Sequence, residues 1–456
     1  MTLHPPLHPD ARARARVRVG AALAAGALAG AAVWAGPDAL AAPTETASET
    51  AAPAEDPVRR EQFWLEEYGF TQAWEHTRGA GVTVAVIDTG IDATHPDLTG
   101  QVAGGADFSG IGSPGGDQPV GVGGEHGTLV ASVLAGHGHT PGADPGPGDA
   151  GVIGVAPEAQ LLSLSVDLSA SNPGGPPIEE QIPQAVRWAV DHGADVINMS
   201  LVSSRTDWPQ SWDEAFLYAE QNDVVIVAAA GNRAAGTNTA GAPATIPGVL
   251  TVAGLDAQGQ ASWDASTQGI SIGVAAPAEP LIGALPGGGH RPWLGTSGAA
   301  PLVAGLAALI LAEHPELPAH QVVHRIRATA RDAGAPGEDP VYGHGVIDAA
   351  AAVTADVPQV ERAPEDSLQE WIRVNRRAEA AQGPGPGEGE SAPLAASGPV
   401  TTAAPQGMST ELPQAADVPD PAPGLAPLLV LGTAAGAAAC LVVGVLVWRR
   451  GDRSAE

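Results

Sequence analysis

The amino-acid sequence predicts an α/β fold in which a doubly wound, mostly parallel sheet has helices on both faces. Between residues 81 and 330, short apolar runs of strand length alternate with longer runs that have helical spacing. This alternation is typical of parallel sheets, because two parallel strands need a crossover connection that is usually a helix. Polar residues follow several of the apolar runs, at the strand ends where such folds bind ligands.

The first 41 residues have the pattern of a secretory signal peptide. Arginines at 12, 14, 16 and 18 precede an Ala-rich apolar run over residues 19–35, and small residues follow at 39–41. The run is rather long, so an uncleaved N-terminal anchor is the alternative interpretation. Residues 42–61 are rich in Ala, Thr, Glu and Pro and are predicted to be a disordered leader.

Residues 62–355 are predicted to form the folded domain, which includes an aromatic-rich N-terminal extension over residues 62–80. The predicted strands cover residues 81–87, 159–166, 196–200 and 224–230. The predicted helices cover residues 126–134, 178–192, 212–221, 302–311 and 317–330. Two Gly-rich stretches, 104–124 and 136–151, lack periodicity and are predicted to be surface loops.

Three further segments are predicted after the domain. Residues 356–424 are acidic, aperiodic and rich in Pro, Gly and Ala, which predicts a linker with at most a helical turn near Trp371. Residues 425–448 carry no charge and are long enough to span a bilayer as one helix, with a buried core helix as the alternative. Arginines follow in residues 449–456, so we predict a cytoplasmic tail and an extracellular domain on a single-pass protein of the cell membrane.

Composition excludes several functions. The formal net charge of −30 argues against nucleic-acid binding, which needs a basic face. All 21 basic residues are arginines, and the absence of lysine excludes Schiff-base chemistry, a Ser–Lys dyad and a P-loop. Cys440 is the only cysteine, so an intrachain disulfide, a cysteine-based zinc site and a thiol peptidase are excluded as well.

Three residues at the ends of predicted elements have the types that form a nucleophilic triad. Asp88 follows the first strand, His126 begins a helix, and Ser297 lies at the N-terminus of the helix that continues through residues 302–311. A serine hydroxyl becomes a nucleophile only beside a base, and an imidazole held by a carboxylate is such a base. The sequence therefore predicts a serine endopeptidase, with a helix-capping role for Ser297 as the alternative.

Four segments resemble the signature segments of the subtilases, the subtilisin-like serine peptidases: residues 84–92, 126–128, 229–232 and 295–301. The resemblance covers roughly residues 62–355 and implies a subtilisin-like fold. It implies that Ser297 attacks the peptide carbonyl, that His126 moves the proton, and that Asp88 orients the imidazole. It also implies that Asn232 and the Ser297 N–H donate hydrogen bonds to the oxyanion.

The same resemblance implies that a substrate chain adds as a strand beside two segments of the domain. The substrate-binding residues implied in this way are Ser200, Leu201, Val202, Ala229, Ala230 and Gly231. Val202 stands where many subtilases have glycine, so its side chain is expected to narrow the groove.

A narrower resemblance is to the mycosins, the membrane-anchored subtilases of actinobacterial type VII secretion systems. It rests on Leu129, on the domain ending at residues 343–358, and on the order of signal peptide, protease, Pro-rich stalk and anchor. It implies that the chain processes substrates of a type VII secretion membrane complex and docks on it. The sequence departs from the mycosin pattern in having no cysteine in the domain and in having Gly298 after the serine.

No cofactor is expected to be required. His95 is predicted to be structural, and His137 and His139 are predicted to lie in a flexible loop, because no third metal ligand is identifiable. Asp92 and Asp97 are candidates for a structural calcium site, but no run of ligands supports one. Two other functions stay open: a structural subunit of the secretion machine with dispensable proteolysis, and a general scavenging subtilase tethered to the cell surface.

Overall fold

The computed structural model describes residues 56–169, 172 and 174–382, and for residues 377–382 it describes the backbone only. The predicted signal peptide, transmembrane segment and cytoplasmic tail lie outside the described residues. Most of the predicted leader and the second part of the predicted linker, residues 383–424, also lie outside them.

The helices and strands follow one another along the chain as the alternating pattern predicts. The helices are α1 (Pro57–Arg60), α2 (Trp64–Glu67), α3 (Phe70–Ala73), α4 (His126–Ala135), α5 (Ile178–Asp191), α6 (Asp213–Gln221), α7 (Thr296–Glu313), α8 (Ala319–Thr329), α9 (Ala349–Thr354) and α10 (Leu368–Gln382). The strands are β1 (Thr83–Asp88), β2 (Val102–Asp107), β3 (His137–His139), β4 (Ala150–Ile153), β5 (Gln160–Ser165), β6 (Val196–Met199), β7 (Val225–Ala229), β8 (Leu250–Leu255), β9 (Ile272–Pro277), β10 (Leu281–Ala284) and β11 (His290–Trp293).

A seven-stranded sheet in the order β2-β5-β1-β6-β7-β8-β9 forms the centre of the domain, and every neighbouring pair in it is parallel. Alternate side chains of β1 enter two different cores, Val84 and Val86 on one face and Ala85 and Ile87 on the other. Helices cover both faces, which confirms the predicted doubly wound α/β fold. After β1 the chain first forms β2 and β5 on one side of β1 and then crosses to β6 on the other side. The crevice expected at such a topological switch point therefore lies at the end of β1.

Helix α7 is the central helix of the larger core. It packs against β6, β7, β8, β9 and α4. Its length and composition would allow it to cross a membrane, but 78% of the helix is buried inside the domain, as is typical of a core helix. Small residues permit this close packing: a Cβ added to Gly305 would lie 2.3 Å from a side-chain carbon of Val155.

The structure corrects the two predicted loops. The first, residues 104–124, begins inside β2, an edge strand that pairs with β5. The second, residues 136–151, contains β3 and part of β4, which form a two-stranded antiparallel sheet. Gly and Ala outnumber the β-branched residues in these strands, so their composition does not indicate strands.

The predicted disordered leader and the predicted linker are also partly wrong, because each contains helical structure next to the domain. Helix α1 lies within the predicted leader, and Asp56 caps it by accepting hydrogen bonds from the N–H groups of Val58 and Arg59. The first part of the predicted linker runs along the domain and ends in α10, which packs on α6. Trp371 of α10 lies 4.5 Å from Trp208 between ring centroids.

Helix α10 is fastened to the domain by an ion pair between Arg376 and Asp213. Arg376 Nε lies 2.8 Å from Asp213 Oδ2, and the two side chains are 15% and 8% exposed. Asp213 Oδ1 also accepts a hydrogen bond of 2.7 Å from Trp208 Nε1. An ion pair this deeply buried becomes costly when one partner is removed, because the remaining charge stays away from water.

We predict that Arg376→Ala lowers the free energy of unfolding by about 3 kcal/mol, because it leaves the Asp213 carboxylate buried without its cation. Chemical denaturation of the purified protein measures this change. Arg373→Ala is the matched control, since Arg373 lies on the same helix and pairs with Glu370 in solvent. Equal effects of the two variants would show that α10 does not depend on the buried pair.

Candidate active site

Asp88 and His126 form a hydrogen-bonded pair at the end of β1. The Asp88 carboxylate is buried, and its oxygens accept from His126 Nδ1 at 2.8 and 3.0 Å. Asp88 Oδ1 also accepts from the Thr89 N–H at 2.7 Å, which fixes the orientation of the carboxylate. Because Nδ1 donates to the carboxylate, Nε2 of a neutral His126 carries the lone pair and can act as a base.

Thr89 and Gly127 bring the start of α4 against the end of β1. Thr89 Oγ1 accepts a hydrogen bond of 2.9 Å from the Gly127 N–H and donates one of 2.9 Å to the Gly124 carbonyl. A Cβ on Gly127 would lie 2.3 Å from the Gly90 carbonyl oxygen, so a larger residue would push the helix away from the strand. The glycine after His126 is therefore a requirement of the Asp88–His126 contact.

The surroundings of His126 raise its pKa. Burial alone would lower the pKa of the imidazole, but the charge of Asp88 and its hydrogen bond favour the protonated ring and prevail. Glu125 raises the pKa further, whereas Arg291 lowers it. Glu125 and Arg291 themselves form an exposed ion pair of 3.2 Å.

Ser297 is the second residue of α7, as predicted, and its side chain bonds to the segment after β6. Its Oγ donates a hydrogen bond of 3.2 Å to the Ser200 carbonyl, and Ser200 Oγ donates one of 2.8 Å to the Ser297 carbonyl. Among the described residues, no hydrogen bond joins Ser297 to His126. The Ser297 hydroxyl therefore has to give up its bond to the Ser200 carbonyl before its proton can pass to Nε2, at the loss of one hydrogen bond worth about 1 kcal/mol.

Trp293 joins His126 to the segment that leads into Ser297, a contact that no local sequence pattern indicates. Its ring packs perpendicular to the imidazole with 5.9 Å between centroids. Gly298 is close to the same tryptophan: a Cβ there would lie 3.3 Å from the Trp293 ring and 2.2 Å from Leu281 Cδ1. The glycine after Ser297, a departure from the mycosin pattern, is thus explained by the bulk of Trp293 and Leu281.

Asn232 and the N-terminus of α7 present two N–H donors near Ser297. Asn232 Oδ1 accepts from the Thr296 N–H at 2.8 Å and from Thr296 Oγ1 at 2.9 Å. Thr296 Oγ1 in turn accepts from the Gly231 N–H at 3.0 Å. With Oδ1 fixed in this way, Asn232 Nδ2 has no acceptor in the part of the chain that the structure describes, and neither has the Ser297 N–H. Free donors of this kind stabilise an oxygen that becomes negatively charged during a reaction.

The predicted substrate-binding residues lie at the ends of two adjacent strands. Residues 200–202 follow β6 directly. Ala229 is the last residue of β7, and residues 230 and 231 follow it. The parallel pairing of β6 with β7 places Met199 opposite Ala228. Val202 lies beside Gly231, since a Cβ on that glycine would lie 3.3 Å from Val202 Cγ1.

The backbone of these residues is only partly free to bind another chain. Within the described residues, the N–H and carbonyl groups of Leu201 and Val202 have no backbone partner. The Ala230 N–H, by contrast, donates to the Val252 carbonyl at 3.0 Å, and the Ala230 carbonyl accepts from Thr267 Oγ1 at 2.9 Å. The side of the groove formed by Leu201 and Val202 is therefore the one on which a strand can be added.

A second cluster of titratable residues lies outside this centre, around the buried Asp97. His139 and His290 both hydrogen-bond to Asp97, at 2.5 and 2.7 Å. The prediction that His137 and His139 lie in a flexible loop is wrong, because both belong to β3. His95 is buried, with 2% exposure, and lies in the same cluster.

A model of the subtilase family, Peptidase_S8, matches residues 79–345. The chain therefore belongs to the subtilase family of serine proteases. This assignment confirms the resemblance of the four sequence segments to the subtilases and agrees with the parallel sheet.

The chain is also similar to mycosins. It is 35% identical to Mycosin-4 of Mycobacterium tuberculosis over 403 residues, which are 78% of this chain and 83% of that protein. The solved structure of the MycP3 protease from the type VII (ESX-3) secretion system has a TM-score of 0.52 and 35% identity, covering 67% of this chain and 90% of that one. A chain in the periplasmic assembly from the ESX-5 inner membrane complex has a TM-score of 0.56 and 29% identity, covering 77% of this chain and 92% of that one.

We predict that Glu125→Gln lowers the pKa of His126 and that Arg291→Gln raises it. The first change removes a negative charge that favours the protonated ring, and the second removes a positive charge that disfavours it. An NMR titration of the His126 ring measures both midpoints. Because the two side chains are exposed, added salt should shrink both shifts. Shifts in the same direction would contradict the opposing roles of the two charges.

Proposed function

We propose that this subtilase is a membrane-anchored, extracellular serine endopeptidase with the triad Asp88, His126 and Ser297. The observation that carries the proposal is the buried Asp88–His126 pair, which leaves the second nitrogen of the imidazole as a base on α4, a helix that packs against α7. Trp293 supports the proposal, because its contact with His126 connects the base to the segment that carries the nucleophile.

In the proposed reaction, Ser297 Oγ leaves the Ser200 carbonyl, transfers its proton to His126 Nε2 and bonds to the carbon of a peptide carbonyl. The carbonyl oxygen becomes an oxyanion. His126 then gives the proton to the leaving nitrogen, the C–N bond breaks, and an acyl-enzyme remains. A water molecule then repeats the same two steps. His126 takes a proton from the water as its oxygen attacks the carbonyl carbon of the ester. The C–O bond to Ser297 breaks, and His126 returns the proton to Ser297 Oγ. Asp88 holds the ring in one tautomer throughout and stabilises the imidazolium.

We assign the oxyanion site to Asn232 Nδ2 and the Ser297 N–H. Thr296 supports this assignment, because it fixes Asn232 Oδ1 through two hydrogen bonds and so directs the other end of the amide away from the protein's own acceptors. The positive end of the α7 dipole adds a favourable potential at the same place. Prearranged donors stabilise the transition state without having to reorient during the reaction.

The substrate is proposed to be an extended polypeptide. The unpaired backbone groups of Leu201 and Val202 suit an added strand, whose main-chain hydrogen bonds would supply affinity. Val202 against Gly231 narrows the groove, which favours substrates with small side chains at the position that faces it.

We propose further that the enzyme acts at the cell membrane with a type VII secretion complex. Two kinds of observation support this: the similarity to Mycosin-4, MycP3 and a chain of the ESX-5 assembly, and the uncharged residues 425–448 that precede arginines. In this proposal the catalytic domain is extracellular, residues 425–448 anchor it, and secreted polypeptides of the complex are its substrates.

A second candidate function is that of a structural subunit whose proteolysis is dispensable. It is favoured by one feature of the site, the hydrogen bond that directs Ser297 Oγ to Ser200 instead of His126. If the hydrogen bond from Ser297 to Ser200 persisted in the assembled complex, the serine hydroxyl would not reach its base, His126.

For the peptidase, we predict that the protein is labelled by a fluorophosphonate probe and cleaves an extended peptide, and that Ser297→Ala abolishes both. Asn232→Ala should lower kcat by about 10²–10³-fold with a much smaller change in KM, because its amide would act on the oxyanion of the transition state. Labelling and peptide hydrolysis measure these effects. A folded parent protein that neither labels nor cleaves would refute the peptidase function.

For the partner complex, we predict that cells whose native gene is replaced by the Ser297→Ala gene assemble the type VII secretion complex but do not process its substrates. The reason is that the substitution removes only the hydroxyl, while the domain surface and anchor stay intact. Immunoblots of secreted proteins and of the isolated complex measure the two effects. Normal processing and secretion in these cells would instead support the purely structural subunit.

A further inference from the structure

We propose that His95, Asp97 and His290 form a binding site for Zn²⁺ or a similar divalent transition metal, separate from the peptidase centre. One ligand atom from each residue lies within 4.8 Å of the corresponding atoms of the other two. Two imidazole nitrogens and one carboxylate oxygen form a donor set that suits zinc and its neighbours rather than calcium, which prefers oxygen ligands.

The distances within the cluster are close to those that a metal requires. Asp97 Oδ2 lies 2.7 Å from His290 Nε2 and 3.9 Å from His95 Nδ1. Ligand atoms about 2.0–2.1 Å from a tetrahedral zinc ion are about 3.4 Å apart, which lies between these two values. Small side-chain rotations would therefore bring the three atoms to coordination distance. His290 Nε2, which now donates to Asp97, would have to lose its proton to solvent or to its own Nδ1 as the metal binds.

The hydrogen bonds of His95 fix the tautomer that a metal ligand needs. His95 Nε2 lies 3.2 Å from the Gly289 carbonyl, which can only accept, so Nε2 carries the proton. The lone pair is therefore on Nδ1, which faces the cluster and accepts from the Asp97 N–H at 3.1 Å. A bound metal would take the place of that contact. A backbone carbonyl on the other ring nitrogen is the usual arrangement for a histidine that binds a metal.

Asp97 provides a negative charge in a buried position. Its two oxygens accept hydrogen bonds from His290, from His139 and from the Val152 N–H. The carboxylate is fully buried, and no arginine forms an ion pair with it among the described residues. A divalent cation would balance this charge more completely than hydrogen bonds from the surrounding groups do.

His139 has a different role from the three ligands. Its Nδ1 donates to the other carboxylate oxygen, Asp97 Oδ1, at 2.5 Å, while Val152 N–H donates to Oδ2 at 2.7 Å. The two donors hold the carboxylate in one orientation. Partners of this kind typically change metal affinity about 10–100-fold when they are removed.

The proposed site would join segments that are far apart in the sequence and close to the peptidase centre. His95 and Asp97 follow β1, whereas His290 begins β11, the strand that ends in Trp293. Trp293 packs on His126, and α7 with Ser297 begins three residues later. A metal at this place would hold the β10–β11 hairpin to the end of β1 without touching the reacting atoms.

The test is a titration of the purified, metal-stripped full-length protein in detergent with Zn²⁺, and with Co²⁺ as a spectroscopic probe. We expect one tightly bound equivalent, the intense visible absorption of tetrahedral Co²⁺, and a higher melting temperature with Zn²⁺. Ca²⁺ at the same concentration should not raise the melting temperature through this site. Stabilisation by Ca²⁺ alone, or no stoichiometric Zn²⁺ binding, would overturn the proposal and leave a hydrogen-bonded cluster.

Variants distinguish this site from loose binding by the other histidines among the 13 in the chain. His290→Gln keeps an N–H donor for Asp97, so it should fold like the parent without metal and yet bind Zn²⁺ at least about 100-fold more weakly. His139→Gln should weaken binding about 10–100-fold. His76→Ala, at an exposed histidine of the same domain, should bind as the parent does. Parent-like affinity in His290→Gln, or an equal loss in His76→Ala, would refute the site.

Discussion

The close packing of α7 against the sheet is the constraint on which the rest of the site depends. Because α7 consists largely of Ala, Gly, Val and Leu and is buried along most of its length, its N-terminus has a fixed position next to the ends of β6 and β7. The same helix packs on α4, which begins with His126. The proposed nucleophile, Ser297, and the proposed base, His126, are therefore positioned by one helix–helix contact, and each lies at the first turn of its helix, where free N–H groups and the dipole are concentrated.

Thr296 and Trp293 transmit this constraint to the residues around Ser297. Thr296 hydrogen-bonds to Asn232 and to the backbone of Gly231. These bonds join the segment after β7 to the start of α7. Trp293 fills the space over Gly298 and reaches His126. The position of Asp88 is also fixed, because β1, the strand that carries it, is buried on both faces. Among the described residues, Ser297 Oγ donates to the Ser200 carbonyl, and no hydrogen bond joins it to His126.

The sequence predicts those parts of the molecule that have a local signal. Asp88, His126 and Ser297 stand at element boundaries that hydrophobic patterning and short motifs reveal, and the parallel sheet follows from the alternation of strands and helices. The contacts of His139 and His290 with Asp97 span 42 and 193 residues, and no local pattern encodes such separations. The full length of α10 was not predicted for another reason: the segment around it is rich in Pro and acidic residues, which indicates a linker. The packing of α10 depends on Leu368, Trp371 and Arg376, and three residues are too few to dominate the composition.

The two ends of the domain explain how it is held together without disulfides. Gln62 exchanges two hydrogen bonds with the backbone of Ile153, 91 residues away, and Trp74 donates to the Val155 carbonyl at 2.8 Å. At the other end, Arg376 pairs with Asp213 across 163 residues. A covalent bridge stabilises mainly by restricting the unfolded chain, whereas these contacts act only in the folded state. They therefore add stability only while both extensions remain packed on the domain. Cleavage that released an extension would remove this stability together with the burial of Trp64 and Phe70 at one end or of Leu368 at the other.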